Sequence, residues 1–161
     1  MADDGQTNED QRALMLSRLI PVPRAALYRC WTDPALITRW FTPAPWKTVE
    51  AELDVRAGGR SRIVMESPDG DRFPSEGLYL EVVENEKLVF TDAFTAAWQP
   101  SNKAFMVGII TFADEAGGTR YTATVRHWNA EDRKTHEEMG FHEGWGKATD
   151  QLAALAATLG G

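Results

Sequence analysis

Two hydrophobic periods divide the chain. Towards the end, Trp145, Ala148, Leu152, Leu155 and Leu159 recur at steps of three and four. That spacing puts them on one face of a 3.6-residue period, with Lys147, Asp150 and Gln151 on the other side. The pattern predicts a long amphipathic helix closing the chain. Its lead-in, from His136 to Gly146, carries glycines at 140, 144 and 146, each costing about 1 kcal/mol relative to alanine inside a helix. Beside Phe141 and Trp145, these glycines predict that a sheet or a ligand approaches the helix backbone closely.

Upstream the chain reads as sheet with a short helical insert. Residues 13–20 form a first strand, closed by Pro21-Val22-Pro23. Residues 24–31 form a short helix with Pro23 at its start. Asp33 and Pro34 are the N-cap and first position of a second helix, which runs to about residue 40 because Pro43 and Pro45 follow. Strands are then predicted at 47–55, 60–67, 75–83, 87–92, 104–112 and 119–128. Between them lie Ala57-Gly58-Gly59, Pro68-Asp69-Gly70, Glu84-Asn85-Glu86, a loop from Phe94 to Asn102, and Gly117-Gly118. Connections this short exclude parallel crossovers and specify an antiparallel meander. The single apolar stripe of the last helix must cover the concave face of a curved sheet. A gap between the two would be lined by the aromatics around Gly140 and Gly144. The fold class is therefore α+β, with one domain over 13–159 behind an acidic tail over 1–12.

Composition narrows the chemistry. The 161 residues are 43% hydrophobic and include six Trp, seven Phe and three Tyr, enough apolar area to fill a core and leave some over. A net charge of −7 gives nucleic-acid binding no electrostatic support. Asp3, Asp4, Glu9 and Asp10 supply part of that charge in a segment without an apolar run, the composition of a disordered tail rather than of a signal peptide. No window approaches 18 uninterrupted apolar residues, so no membrane span is expected. The lone Cys30 rules out an internal disulfide and agrees with a reducing cytoplasm. Its neighbours Leu27, Tyr28 and Trp31 mark it as a buried, inert thiol.

Catalytic and metal motifs are wanting. His136-Glu137 begins like a zinc motif, but Gly140 stands where the second histidine belongs. His136 and His142 are six apart, about 240° around a helix, and do not share a face. No serine occupies a Gly-x-Ser-x-Gly elbow, and Gly58-Gly59 and Gly117-Gly118 are hairpin turns, not phosphate loops. Neither a metal nor another cofactor is expected.

Several segments, taken in order, carry a resemblance. They are Trp31-Thr32-Asp33-Pro34-Ala35-Leu36-Ile37-Thr38-Arg39-Trp40-Phe41, Gly58-Gly59 with Met65, Ser67-Pro68-Asp69-Gly70, Leu88-Val89-Phe90-Thr91, and Gly140-Phe141-His142-Glu143-Gly144-Trp145. From about Leu14 to Leu159 the chain resembles the activator homologues of the heat-shock-protein ATPase (AHSA-type). These belong to the START-like, SRPBCC or helix-grip superfamily, which also holds plant pollen allergens and polyketide cyclases. The resemblance implies a helix-grip fold, in which the last helix crosses a curved antiparallel sheet over a cavity for apolar ligands. It also implies a link to the stress response through a chaperone. In the eukaryotic co-chaperone a second, chaperone-binding domain is attached, for which 161 residues leave no room.

On that fold, Phe141 and Trp145 are expected to line the cavity from the helix. Met65, Tyr79, Phe105 and Met106 would line it from the sheet, and Trp40 from the helical notch, where Trp31 fills core. A one-residue slip in strand phase would exchange the two sheet faces. Trp98, in the loop after residue 92, is either a lid on the core, a gate over the cavity, or a partner-facing anchor. His127 continues the core-facing phase of Tyr121, Ala123 and Val125. It is either a satisfied strand-end histidine or a polar group at the cavity mouth that orients a ligand or moves a proton. Arg62 and Glu76, on neighbouring strands, are expected to pair at the surface. Three functions compete: a carrier or sensor of a small apolar ligand, a module acting on a chaperone or similar protein partner, and a cyclase- or hydratase-like acid–base enzyme. A monomer or a homodimer would serve any of them.

Overall fold

The computed structural model describes residues 12–101 and 104–159; the acidic tail up to residue 11 lies outside them. Strand β1 (Ala13–Ile20) leads to helices α1 (Arg24–Thr32) and α2 (Pro34–Ile37). Then come β2 (Lys47–Leu53), β3 (Arg60–Glu66), β4 (Arg72–Val83) and β5 (Lys87–Thr91). A small ribbon of β6 (Phe94–Thr95) and β7 (Gln99–Pro100) follows, then β8 (Met106–Glu115), β9 (Gly118–His127), α3 (Ala130–Glu138) and α4 (Phe141–Thr158). Seven strands make one sheet in the order β1-β9-β8-β5-β4-β3-β2, while β6 and β7 pair only with each other. Every pairing is antiparallel. This is the α+β helix-grip fold.

Local chemistry explains the elements. The Asp33 carboxylate accepts from the Ala35 amide at 2.9 Å and Pro34 opens the helix, so α2 starts where the cap and proline predict. It closes after one turn at Ile37, short of the expected residue 40, and tight turns carry the chain to Trp40, whose indole N–H donates to the Cys30 carbonyl at 2.9 Å. Register shifts between Thr48 and Glu50 on β2 and between Tyr79 and Glu81 on β4 insert bulges, which bend and twist a sheet so that it can wrap a helix.

The closing helix differs from the expected continuous one. It is two helices, α3 and α4, broken at Met139-Gly140 with Gly140 at φ +95°. That left-handed backbone suits glycine and strains any other residue. Gly140 therefore stands outside the helix interior. Gly144 and Gly146 lie within α4, yet a Cβ on Gly144 would come no nearer than 4.0 Å to Pro43 and one on Gly146 would sit 3.6 Å from the Arg18 guanidinium. The sheet does not crowd the helix backbone at either glycine, and Gly144 borders the space between helix and sheet.

The stripe of α4 holds the core. Ala148, Leu152, Leu155 and Ala156 are buried with Ile20, Leu27, Trp31, Ile110, Phe112 and Tyr121. Leu159 and Trp145 pack at the edge of this cluster. The polar side of α4 pins it to its surroundings. Arg18 of β1 pairs with Asp150. Gln151 donates to the carbonyls of Trp40 and Thr42 (2.8 and 3.0 Å) and accepts from the Ala44 amide (3.0 Å). Lys147 donates to the Ala44 carbonyl at 2.6 Å. Gln151 and Lys147 thus staple the chain from Trp40 to Ala44 to the helix.

Candidate functional site

Between the concave face of the sheet and α4 lies a cavity of about 430 Å³, within the range that holds a small organic ligand. The sheet supplies Ile63, Met65, Tyr79, Phe90 and Met106 to its wall, and the notch supplies Trp31, Trp40 and Phe41. The α3–α4 break and α4 contribute His136, Met139, Gly140, Phe141, Gly144 and Trp145. Register accounts for the sheet side: residues 61, 63 and 65 of β3 alternate inward, and Phe90 lies opposite Gly108, which has no side chain to displace the ring. Burial keeps the phenols of the wall neutral. It raises the Tyr79 and Tyr121 hydroxyls well above the ordinary phenol value and pushes the Cys30 thiol, behind the wall, up to about 11.

The nine residues singled out from the sequence divide six to three. Trp40, Met65, Tyr79, Met106, Phe141 and Trp145 meet on the cavity wall. Trp98 does not: it is half exposed, stacked edge-on to Phe94 at 5.8 Å, and covers the Gly58 turn at the outer rim. The β6–β7 ribbon, with Ala97 and Trp98 at φ 61° and 60°, turns the indole away from the grip. Phe105, ahead of β8, packs against the rings of His127 and His136 at 5.4 and 5.2 Å instead of reaching the wall. Arg62 and Glu76 pair at 3.3 Å in a partly exposed network with Arg60 and Glu50.

His127 is buried on the core-facing phase, yet it is not the histidine that reaches the cavity. Its Nδ1 lies 2.9 Å from the Arg12 carbonyl and its Nε2 lies 2.9 Å from Nδ1 of His136. His136, on α3, is the member on the wall. Burial first, and then the neighbouring His127, lower His136 to about 4 from the ordinary 6.5. Sequence spacing missed this residue because its partner lies nine positions away on a strand, across the β9–α3 turn, rather than on its own helix. Among the described residues no group of three or more His, Cys, Asp and Glu is placed to hold a metal ion. Of the two facing histidines only His136 borders the cavity, where Glu76 and Asp92 are the acidic members of the wall.

Solved structures place the architecture. A Nitrosomonas europaea protein superposes with a TM-score of 0.90 at 39% identity, covering 92% of this chain and 96% of its own. A Mycobacterium smegmatis protein is 25% identical, with a TM-score of 0.77 and 92% of each chain covered. A Rhodobacter sphaeroides protein at 18% identity shares the fold, with a TM-score of 0.82 over 94% of this chain and 96% of its own. No curated protein matches the chain. Among the described residues no helix is long and apolar enough to cross a membrane. The family model for activator of Hsp90 ATPase homolog 1-like protein matches residues 21–157, nearly all of the sheet and its helices. The chain belongs to the activator of Hsp90 ATPase homolog 1-like family.

Proposed function

We propose that this chain binds a small, predominantly apolar molecule between α4 and the sheet, as a cytoplasmic carrier or sensor. The observation that carries this reading is the cavity itself: about 430 Å³ walled by Trp31, Trp40, Phe41, Phe90, Phe141 and Trp145. Cores are ordinarily packed to near-crystalline density, so a void of this size under the gripping helix is space kept for a guest. Trp145 is the reporter. A hydrophobic dye should quench tryptophan fluorescence and saturate near one per chain, and Trp145→Phe should remove much of the quenching with the fold intact. Gly144→Leu points a side chain into the space, restores about 1 kcal/mol of helix propensity, and should abolish binding. Saturable binding that ignores both substitutions would place the site elsewhere. Native mass spectrometry of freshly purified protein would show a co-purifying guest directly.

A second reading, a co-chaperone-type module, draws on one surface feature. Trp46 and Phe73 are both exposed, with rings 5.4 Å apart, and strand pairing sets Phe73 opposite Met65. An exposed aromatic pair of this kind suits a protein partner. On this reading the chain stimulates a heat-shock-protein ATPase and Trp46→Ser with Phe73→Ser removes the stimulation. An ATPase rate unmoved by the wild-type chain excludes it.

A further inference from the structure

The two histidines define which proton sits where. The Arg12 carbonyl only accepts, so His127 Nδ1 keeps its hydrogen and donates across 2.9 Å. In the neutral ring, His127 Nε2 is then a lone pair, and the nitrogen 2.9 Å from it, His136 Nδ1, must donate. That leaves His136 Nε2 with an unshared lone pair on a residue of the cavity wall. Phe105 and Phe141 hold the ring from two further sides, each with centroids 5.2 Å away. Nearby carboxylates are engaged elsewhere. Asp92 Oδ1 accepts from the Phe105 and Met106 amides at 2.8 and 3.1 Å, and Glu137 faces Arg133 and His142 at 3.5 and 3.6 Å.

The rest of the wall sharpens the choice of ligand. It contains no lysine or arginine, and its charged members are the acids Glu76 and Asp92, so a carboxylate or phosphate finds no partner there. Two of its hydroxyls already donate, Thr91 to the Met106 carbonyl and Thr149 to the Trp145 carbonyl, while the Tyr121 oxygen accepts from the Trp31 indole. Glu76 is held by Arg60 and Arg62, and Asp92 by two backbone amides, so the neutral acceptor among the aromatic rings selects a neutral donor, because a hydroxyl is cheaper to desolvate than an ammonium.

We propose that the guest is an apolar molecule bearing a phenolic or alcoholic hydroxyl, and that His136 Nε2 accepts its proton in a hydrogen bond, with His127 as the positioning residue that sets the tautomer. This rests on the cavity being a binding site and adds the chemistry of its head group.

The test compares 2-naphthol with 2-methoxynaphthalene, which share an apolar body and differ in the donor. Wild-type protein should bind 2-naphthol about tenfold more tightly, the fold-change of one well-made hydrogen bond. The naphthol excited state releases its proton to a hydrogen-bonded base, so the bound probe should also show naphtholate emission. His136→Phe should erase both the preference and that emission while 2-methoxynaphthalene still binds. His136→Gln, which offers an amide oxygen, should restore part of the preference. Equal, saturable binding of the two probes by wild type overturns the head-group assignment and leaves the cavity standing; so does a preference that survives His136→Phe. Saturation by neither probe overturns the cavity reading and this inference together. Should His136→Phe fail to fold, the wild-type affinity ratio and emission decide the matter.

Discussion

Single residues show where burial and charge set the energetics. Leu152 is fully buried in the main cluster, and Leu152→Ala should cost about 2–5 kcal/mol through lost contacts and the void left behind. Ala153→Ser, on the flank of the same helix, should cost under about 1 kcal/mol. Chemical denaturation giving equal losses would contradict the helical phase. His136 carries a pH signature. Its folded value of about 4 lies below the ordinary 6.5, so between those limits the unfolded chain binds a proton that the native ring refuses. The stability this neutral ring contributes is present above about pH 6.5 and is lost as pH falls towards 4. Its partial exposure holds the effect to on the order of 1–2 kcal/mol. Urea midpoints at pH 7 and pH 4.5 should therefore diverge less in His136→Gln than in wild type; identical divergence would remove His136 from the acid response. The lone pair that His136 offers the cavity was not legible in the sequence. A histidine's tautomer depends on what its other nitrogen meets, and that partner lies on another element.

At the scale of elements, the lead-in to the last helix is the instructive place. Three glycines in one stretch look alike in sequence, and the backbone sorts them. Gly140 sits at φ +95° in the break between α3 and α4, whereas Gly144 is interior to α4 with nothing nearer than Pro43 at 4.0 Å from an added Cβ. The same substitution should then have opposite signs. Gly140→Ala should destabilise by about 1–2 kcal/mol from left-handed strain, and Gly144→Ala should stabilise by up to about 1 kcal/mol from helix propensity. Matching shifts in melting temperature from the two variants would mean that the break is not where the structure puts it. The break has a structural consequence: it lets α3 cross back over β9, so that His136 meets His127 at 2.9 Å while Phe141 and Trp145 still face the sheet. The strands were easier. Hairpin turns such as Gly58-Gly59 and Gly117-Gly118 punctuate them, and the observed β9, Gly118–His127, differs from the expected 119–128 by one residue at each end.

For the whole molecule, a boundary prediction follows from composition and one hydrogen bond. Residues 1–10 carry four acids and no apolar run, so their deletion should leave the melting temperature nearly unchanged. Removing Arg12 as well takes away the carbonyl that His127 holds at 2.9 Å, and thermal unfolding of the two truncations should separate them. A large drop from the shorter deletion would show that the tail docks on the body. Along the chain alone, turn residues and periodicity settle the seven main strands, their antiparallel meander and the buried stripe of α4, because turn residues act locally and periodicity reports which side of an element is dry; they announce neither the β6–β7 ribbon nor the α3–α4 break. Six of the nine residues the sequence puts forward border the cavity, four aromatics and two methionines, but local pattern leaves strand phase open by one residue and so does not separate Phe105 from Met106. Tertiary contacts set Trp98 over an outer turn, join the notch to the helix through Gln151, and bring His136 rather than His127 to the cavity. Each of these depends on contacts between residues distant in the chain, or on the direction a loop takes after it leaves the sheet, and no local pattern encodes either.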